Sequence, residues 1–289
     1  MNHYKERAVK EEIRNFLDYL RQRRGYSERT IESYWNDLSQ AASFFVRQRG
    51  AGFKWANLTP QDLQDYVSHL RGRGYSVSSI SRKISSFRSF LHYLYREGVI
   101  AQDYGELLAG AKAPKRPPKF LPEEDLARLL EAPSAQSDPR ALRDKAILEV
   151  LSSTGMKILE LVSLNLEDVD LASGAIRIMS RKGKERIVSL SEQAREALKA
   201  YVEQGRIHFL KPNSPADALF LNAKGQRLSR QGVWVIVKQY AKALGINVSP
   251  KVFRHSLIHK KLKEKAKPED LKKLLGYSGH LDKTLYSEE

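Results

Sequence analysis

The residues best suited to chemistry lie towards the end of the chain. Arg254 sits within Val252-Phe253-Arg254-His255-Ser256, a Leu274-Leu275-Gly276-Tyr277 run follows, and Tyr286 stands nine positions after Tyr277. A guanidinium presents two parallel N–H donors to an oxyanion, and a tyrosine hydroxyl is an oxygen nucleophile, so the set suits attack on a phosphate-like group. Further cations stand at Lys157, after Thr154-Gly155-Met156, at Lys251, and at Arg181 and Lys182 within Ser180-Arg181-Lys182-Gly183-Lys184. Metal chemistry has no comparable support. The chain has no cysteine and seven histidines without ligand spacing, so neither a metal nor another cofactor is expected.

Composition points to the same kind of substrate. Fifty Lys and Arg against 34 Asp and Glu leave a formal charge of +16, which suits a polyanionic partner, most often nucleic acid. The excess is shared by both sides of residue 113, as expected if both halves touch one phosphate backbone. With 289 residues and 41% hydrophobic content, the chain can fill two cores. The amino terminus does not read as a signal peptide, and no apolar run approaches the roughly 20 residues that span a bilayer. A cytoplasmic protein without a membrane partner is expected.

The elements that must position these residues fall on either side of one segment. Ala113 to Pro122 interleaves four prolines with Lys115, Arg116 and Lys119. Such a segment opposes helix and favours extended, exposed backbone, so 113–122 reads as a linker lying against DNA. Before it the pattern is helical. Ile13, Phe16, Leu17 and Leu20 recur at helical spacing; Ser27 and Thr30 precede Ile31, Tyr34, Leu38 and Phe45; Thr59-Pro60-Gln61-Asp62 and Ser76 to Ser79 start two more helices. Ile80, Ile84, Phe87, Leu91 and Leu94 share a face of the last helix, while Arg82, Lys83 and Arg88 lie largely elsewhere. A four-helix bundle with a basic face follows. After the linker, Leu121 to Leu126 opens a helix and Arg143 to Leu148 begins a buried one. Ala175 to Met179 and Glu185 to Leu190 flank the charged run as a hairpin. Leu219 to Asn222 reads as a short strand before a helix that Ser229 caps, carrying Arg230, Gln231 and Lys238 as candidate DNA contacts.

Gly25-Tyr26-Ser27, Thr30-Ile31, Ser33-Tyr34, Gly74-Tyr75-Ser76, Ser79-Ile80 and Arg82-Lys83, in this order, resemble the amino-terminal core-binding domain of Xer-like tyrosine site-specific recombinases of the phage-integrase family. The likeness strengthens from Thr154 to Leu161, at Leu219 to Trp234, and at Arg254-His255, Leu274-Leu275-Gly276 and Tyr286. It implies a mainly α fold with a small β-hairpin or sheet, arranged as a two-domain C-shaped DNA clamp. The helical SAM-like core-binding domain would occupy 1–112, the linker 113–122 and the tyrosine-recombinase catalytic domain 123–289. Arg82, Lys83, Arg88, Lys115, Arg116, Arg181, Arg230, Gln231 and Lys238 would then meet double-stranded DNA.

The resemblance also assigns roles. Tyr286 becomes the nucleophile that forms a 3′-phosphotyrosyl bond and releases a 5′-hydroxyl, with no metal or ATP required. Arg254 and the residue at position 157 clamp the phosphate. The hairpin supplies a general-acid lysine, Lys182 by its place before glycine, although an ungapped count puts Arg181 there. Lys251 and Tyr277 complete the set. Relatives carry arginine at the position of Lys157, His or Lys at that of Lys251, and His or Trp at that of Tyr277. Lysine keeps the charge and loses the planar fork, so two functions stay open. One is a recombinase of reduced or partner-dependent activity, working as a homo- or hetero-tetramer on two DNA sites. The other is a cleavage-deficient DNA-binding relative with an accessory or regulatory role.

Overall fold

The computed structural model describes residues 2–50, 52–111, 119–135, 138–180 and 183–276. It divides into two compact units, Met1–Lys115 and Arg116–Glu289, each with its own hydrophobic core. The fold is mostly helical with one small sheet, as the sequence leads one to expect.

In the first unit, helices α1 (Asn2–Arg24), α2 (Glu28–Arg49), α3 (Pro60–Gly72) and α4 (Val77–Arg96) pack around aromatic side chains. Trp55, Phe16, Phe45, Phe87 and Phe90 are almost wholly buried, and the Trp55 indole donates to the Val9 carbonyl. Two helix starts follow from local chemistry. Thr59 and Asp62 form a reciprocal capping box at α3, with Pro60 at the first helical position, and the Ser76 hydroxyl accepts from the Ser79 amide at α4. Ser27 precedes α2 in extended conformation, but its hydroxyl pairs with Thr30 Oγ1 rather than with a backbone amide.

The second unit is built around helix α6 (Pro139–Thr154), whose Ala146, Ile147, Leu148 and Val150 are fully buried. Around it lie α5 (Glu123–Glu131), α7 (Ile158–Ser163), α8 (Glu192–Ala200), α9 (Arg230–Ala243), α10 (Lys251–Lys263) and α11 (Pro268–Leu275). Strands β1 (Val169–Asp170), β2 (Ala175–Met179) and β3 (Glu185–Ser189) form an antiparallel sheet in that order, with Ile178 opposite Arg186. The expected hairpin is therefore present. The strand expected at Leu219 to Asn222 is reduced to single bridges, Ala218 with Asn165 and Leu221 with Arg227. Ala218 to Leu221 are buried against the core, where the Leu219 amide donates to the Leu164 carbonyl and the Leu228 amide to the Phe220 carbonyl. Among the described residues, no helix is long and apolar enough to cross a membrane.

Candidate active site

The site begins where α6 ends. Gly155 closes that helix in the left-handed region, at φ 59°, which a side chain would resist. Its neighbours add a second reason: a Cβ there would lie 2.8 Å from the Cδ2 atoms of both Leu257 and Leu275. The chain can therefore reverse while α10 and α11 press against the turn. Met156 is buried, and Lys157 follows in extended conformation at the start of α7. The Lys157 amide donates to Glu160 Oε2 at 2.8 Å, while its side chain remains 55% exposed.

Arg254 approaches the same turn from α10. It lies in the first turn of that helix, Lys251–Lys263, with Pro250 just before it. One guanidinium nitrogen donates to the Gly155 carbonyl and another to the Leu275 carbonyl, each at 2.8 Å. Arg254 thus binds two backbone oxygens and fixes the Lys157 turn to the end of α11. Lys251 is exposed at the first position of α10. The Nδ1 of His255, next to Arg254, donates to the Lys119 carbonyl at 3.3 Å. Burial pushes its imidazole below the ordinary histidine range, and the cations Lys251 and Arg254 add to that shift.

Two further residues complete this arrangement, Glu160, which lies within the Thr154 to Leu161 likeness, and Arg186. Glu160 is buried, and Arg186 of β3 meets it with two parallel bonds, Nη1 to Oε1 at 3.0 Å and Nη2 to Oε2 at 2.8 Å. The remaining nitrogen, Nε, donates to the Leu274 carbonyl at 3.1 Å. Burial raises the Glu160 carboxyl, but hydrogen bonds from Arg186 and the Lys157 amide, with both nearby cations, outweigh it and hold the group below the usual carboxylate range. A signal for Arg186 does exist in β3. Val188 faces the core, so strand alternation turns Arg186 inward as well, while Ile187 is left 68% exposed. A charge on the inward face requires a partner.

Lys157 and Arg254 are therefore brought to one turn, with Lys251 on the same helix as Arg254. Arg181, Lys182, Tyr277 and Tyr286 lie outside the described residues, as do Lys115 and Arg116. Of the expected DNA contacts, Arg230 and Gln231 are exposed at the start of α9, where the Ser229 hydroxyl accepts from the Gly232 amide. Lys238 reaches Asn247 Oδ1 at 3.1 Å and lies over the ring of Trp234, itself 47% exposed on the same helix. In the first unit Arg88 pairs with Glu106, and Arg82 pairs with Asp37 while remaining half exposed. Lys83 differs from expectation. It is buried, and its ammonium donates to Asp37 Oδ1 at 3.1 Å and to Gln40 Oε1 at 2.7 Å, which makes it a core group rather than a surface cation. The cause is Asp37, a carboxylate buried on α2 that also accepts from Ser86. Among the described residues, no cluster of His, Asp or Glu is placed to hold a metal ion.

Residues 119–284 match the model of the phage integrase family, and residues 13–98 match the phage integrase N-terminal SAM-like domain. The chain belongs to the phage integrase family. It is 38% identical over 269 residues to tyrosine recombinase XerD of Vibrio cholerae serotype O1, covering 92% of this chain and 87% of the relative. With tyrosine recombinase XerC of Roseiflexus sp. strain RS-1 it shares 32% identity over 281 residues, 96% of this chain and 89% of the relative. In fold it resembles a post-cleavage complex of XerH with a palindromic difH substrate, with a TM-score of 0.74 and 20% identity, over 89% of this chain and 75% of that one. It also resembles a lambda integrase dimer bound to a COC′ core site, with a TM-score of 0.71 and 16% identity, over 96% and 93%. The relatives favour the recombinase reading over an accessory protein that has lost cleavage.

Proposed function

We propose that this protein is a site-specific DNA recombinase that cuts and rejoins duplex DNA through a 3′-phosphotyrosyl intermediate on Tyr286. It works in the cytoplasm as a homo- or hetero-tetramer on two DNA sites, with both units meeting the duplex, and needs no metal or nucleotide. The observation that carries the proposal is the meeting of Lys157 and Arg254 at the Gly155 turn, in a chain whose relatives are tyrosine recombinases.

In this reading the Tyr286 oxygen attacks the scissile phosphorus as the bond to the 5′ oxygen breaks. The leaving oxygen takes a proton from the hairpin turn, from Lys182 or Arg181. Arg254 and Lys157 offset the charge on the non-bridging oxygens, and Lys251 and Tyr277 add donors. The reverse step, with a 5′-hydroxyl from the partner duplex, rejoins the strands and frees the tyrosine. The phosphotyrosyl ester conserves the energy of the broken bond. Exposed Arg230 and Gln231 on α9 suit groove contacts.

Nicked suicide substrates, built on DNA selected by footprinting, prevent religation and so trap the intermediate. A covalent protein–DNA adduct on denaturing gels, absent in Tyr286→Phe, is the expected result. Tight binding without an adduct would overturn the proposal.

A further inference from the structure

Glu160 is the hub of the site, tied directly to the start of α7 and to β3, and through Arg186 to the end of α11. It accepts the Lys157 amide, it accepts both terminal nitrogens of Arg186, and through Arg186 it is joined to the Leu274 carbonyl. The next carbonyl, that of Leu275, receives Arg254, which returns to Gly155, two residues before Lys157. These contacts close a ring that runs from Lys157 through Glu160, Arg186, the end of α11 and Arg254 back to the turn. Arg186 is the one member that comes from the sheet. Its guanidinium lies close against the end of α11, where a Cβ on Gly276 would stand 2.9 Å from Nη1.

The position of the Lys157 ammonium within this ring is informative. Its Nζ lies 3.7 Å from Glu160 Oε1, beyond hydrogen-bonding reach, although the two residues are three apart at a helix start. Arg186 engages both carboxylate oxygens at closer range, so the lysine shares Glu160 with a guanidinium and stops at ion-pair distance. A buried carboxylate that lost its arginine would draw in the nearest cation, and a lysine on a flexible four-carbon stem can comply.

We infer that Arg186 is a positioning residue for DNA cleavage: by occupying Glu160 it keeps the Lys157 ammonium directed to the scissile phosphate, and by holding Leu274 it sets Arg254 beside it. The inference deepens the recombinase reading and rests on it. It concerns lysine in particular, because the ammonium at position 157 is a single point charge that the neighbouring carboxylate can capture.

The test compares wild type, Arg186→Gln, Glu160→Gln and the Arg186→Gln/Glu160→Gln double variant. Cleavage of the suicide substrate is one readout. The other is the ratio of affinities for duplex with a normal scissile phosphate and for duplex with a neutral methylphosphonate at that position, which requires no cleavage. Arg186→Gln is expected to lose cleavage by roughly a hundredfold, as when an aligned donor is removed. It should also lose the preference for the charged phosphate, of about tenfold in wild type. The double variant removes the competing carboxylate while its amide oxygen can still accept from the Lys157 amide, so both readouts should recover by at least tenfold over Arg186→Gln. A merely structural role predicts the opposite, since the second substitution would add to the damage. Cleavage by Arg186→Gln at the wild-type rate, or a double variant no better than the single one in either readout, would overturn the inference. If wild type forms no adduct, the recombinase reading falls, and the phosphate-preference ratio alone decides the role of Arg186.

Discussion

Lys157 carries the main chemical question of this site. Where relatives of the family place a planar fork, this chain has an ammonium that is half exposed and lies 3.7 Å from Glu160 Oε1, while its backbone amide donates to Oε2. A fork can bind two phosphate oxygens at once, and a point charge cannot. Glu160 is already paired bidentately with Arg186, so an arginine at position 157 would compete with that guanidinium for the carboxylate. Lys157→Arg is nonetheless expected to raise the rate of adduct formation on suicide substrates by roughly tenfold to a hundredfold, with little change in affinity for the site. A rate that is unchanged or lower would mean that the surroundings have adapted to lysine.

At the scale of elements, the local signals were legible and the long-range ones were not. Thr59 and Asp62 announce α3, Ser76 announces α4 and Ser229 announces α9, because a cap is made within three residues of itself. The hairpin of β2 and β3 was equally plain. Lys83 read as a surface cation because its partner, Asp37, lies on another helix and leaves no mark on the local pattern. The Glu160–Arg186 pair was hidden in the same way, joining a helix start to a strand. The burial of Lys83 has a measurable effect. Lys83→Met leaves Asp37 with one cation fewer in a buried setting and should cost about 3 kcal/mol in stability of the first unit, measured by chemical denaturation. The dependence of DNA affinity on salt should stay as in wild type, whereas Arg230→Ala should flatten it, because only a cation that displaces counterions contributes to that slope.

At the scale of the molecule, two cores in one chain mean that unfolding need not be a single cooperative event, since each unit buries its own apolar side chains. The first is held by an aromatic cluster around Trp55, and the second by aliphatic packing on α6. The three tryptophans are divided between the units. Trp55 is sealed in the first core, Trp35 is partly covered beside it, and Trp234 stands exposed on α9 next to Lys238. The chain thus carries its own two-colour optical probe. Emission from Trp55 should lie to the blue and shift red only when the first unit melts, while Trp234 should emit to the red and be quenched when α9 meets stacked bases. In Trp234→Phe the fluorescence response to DNA should vanish and the thermal red shift of the first unit should remain, so one cuvette would follow binding and unfolding as separate signals.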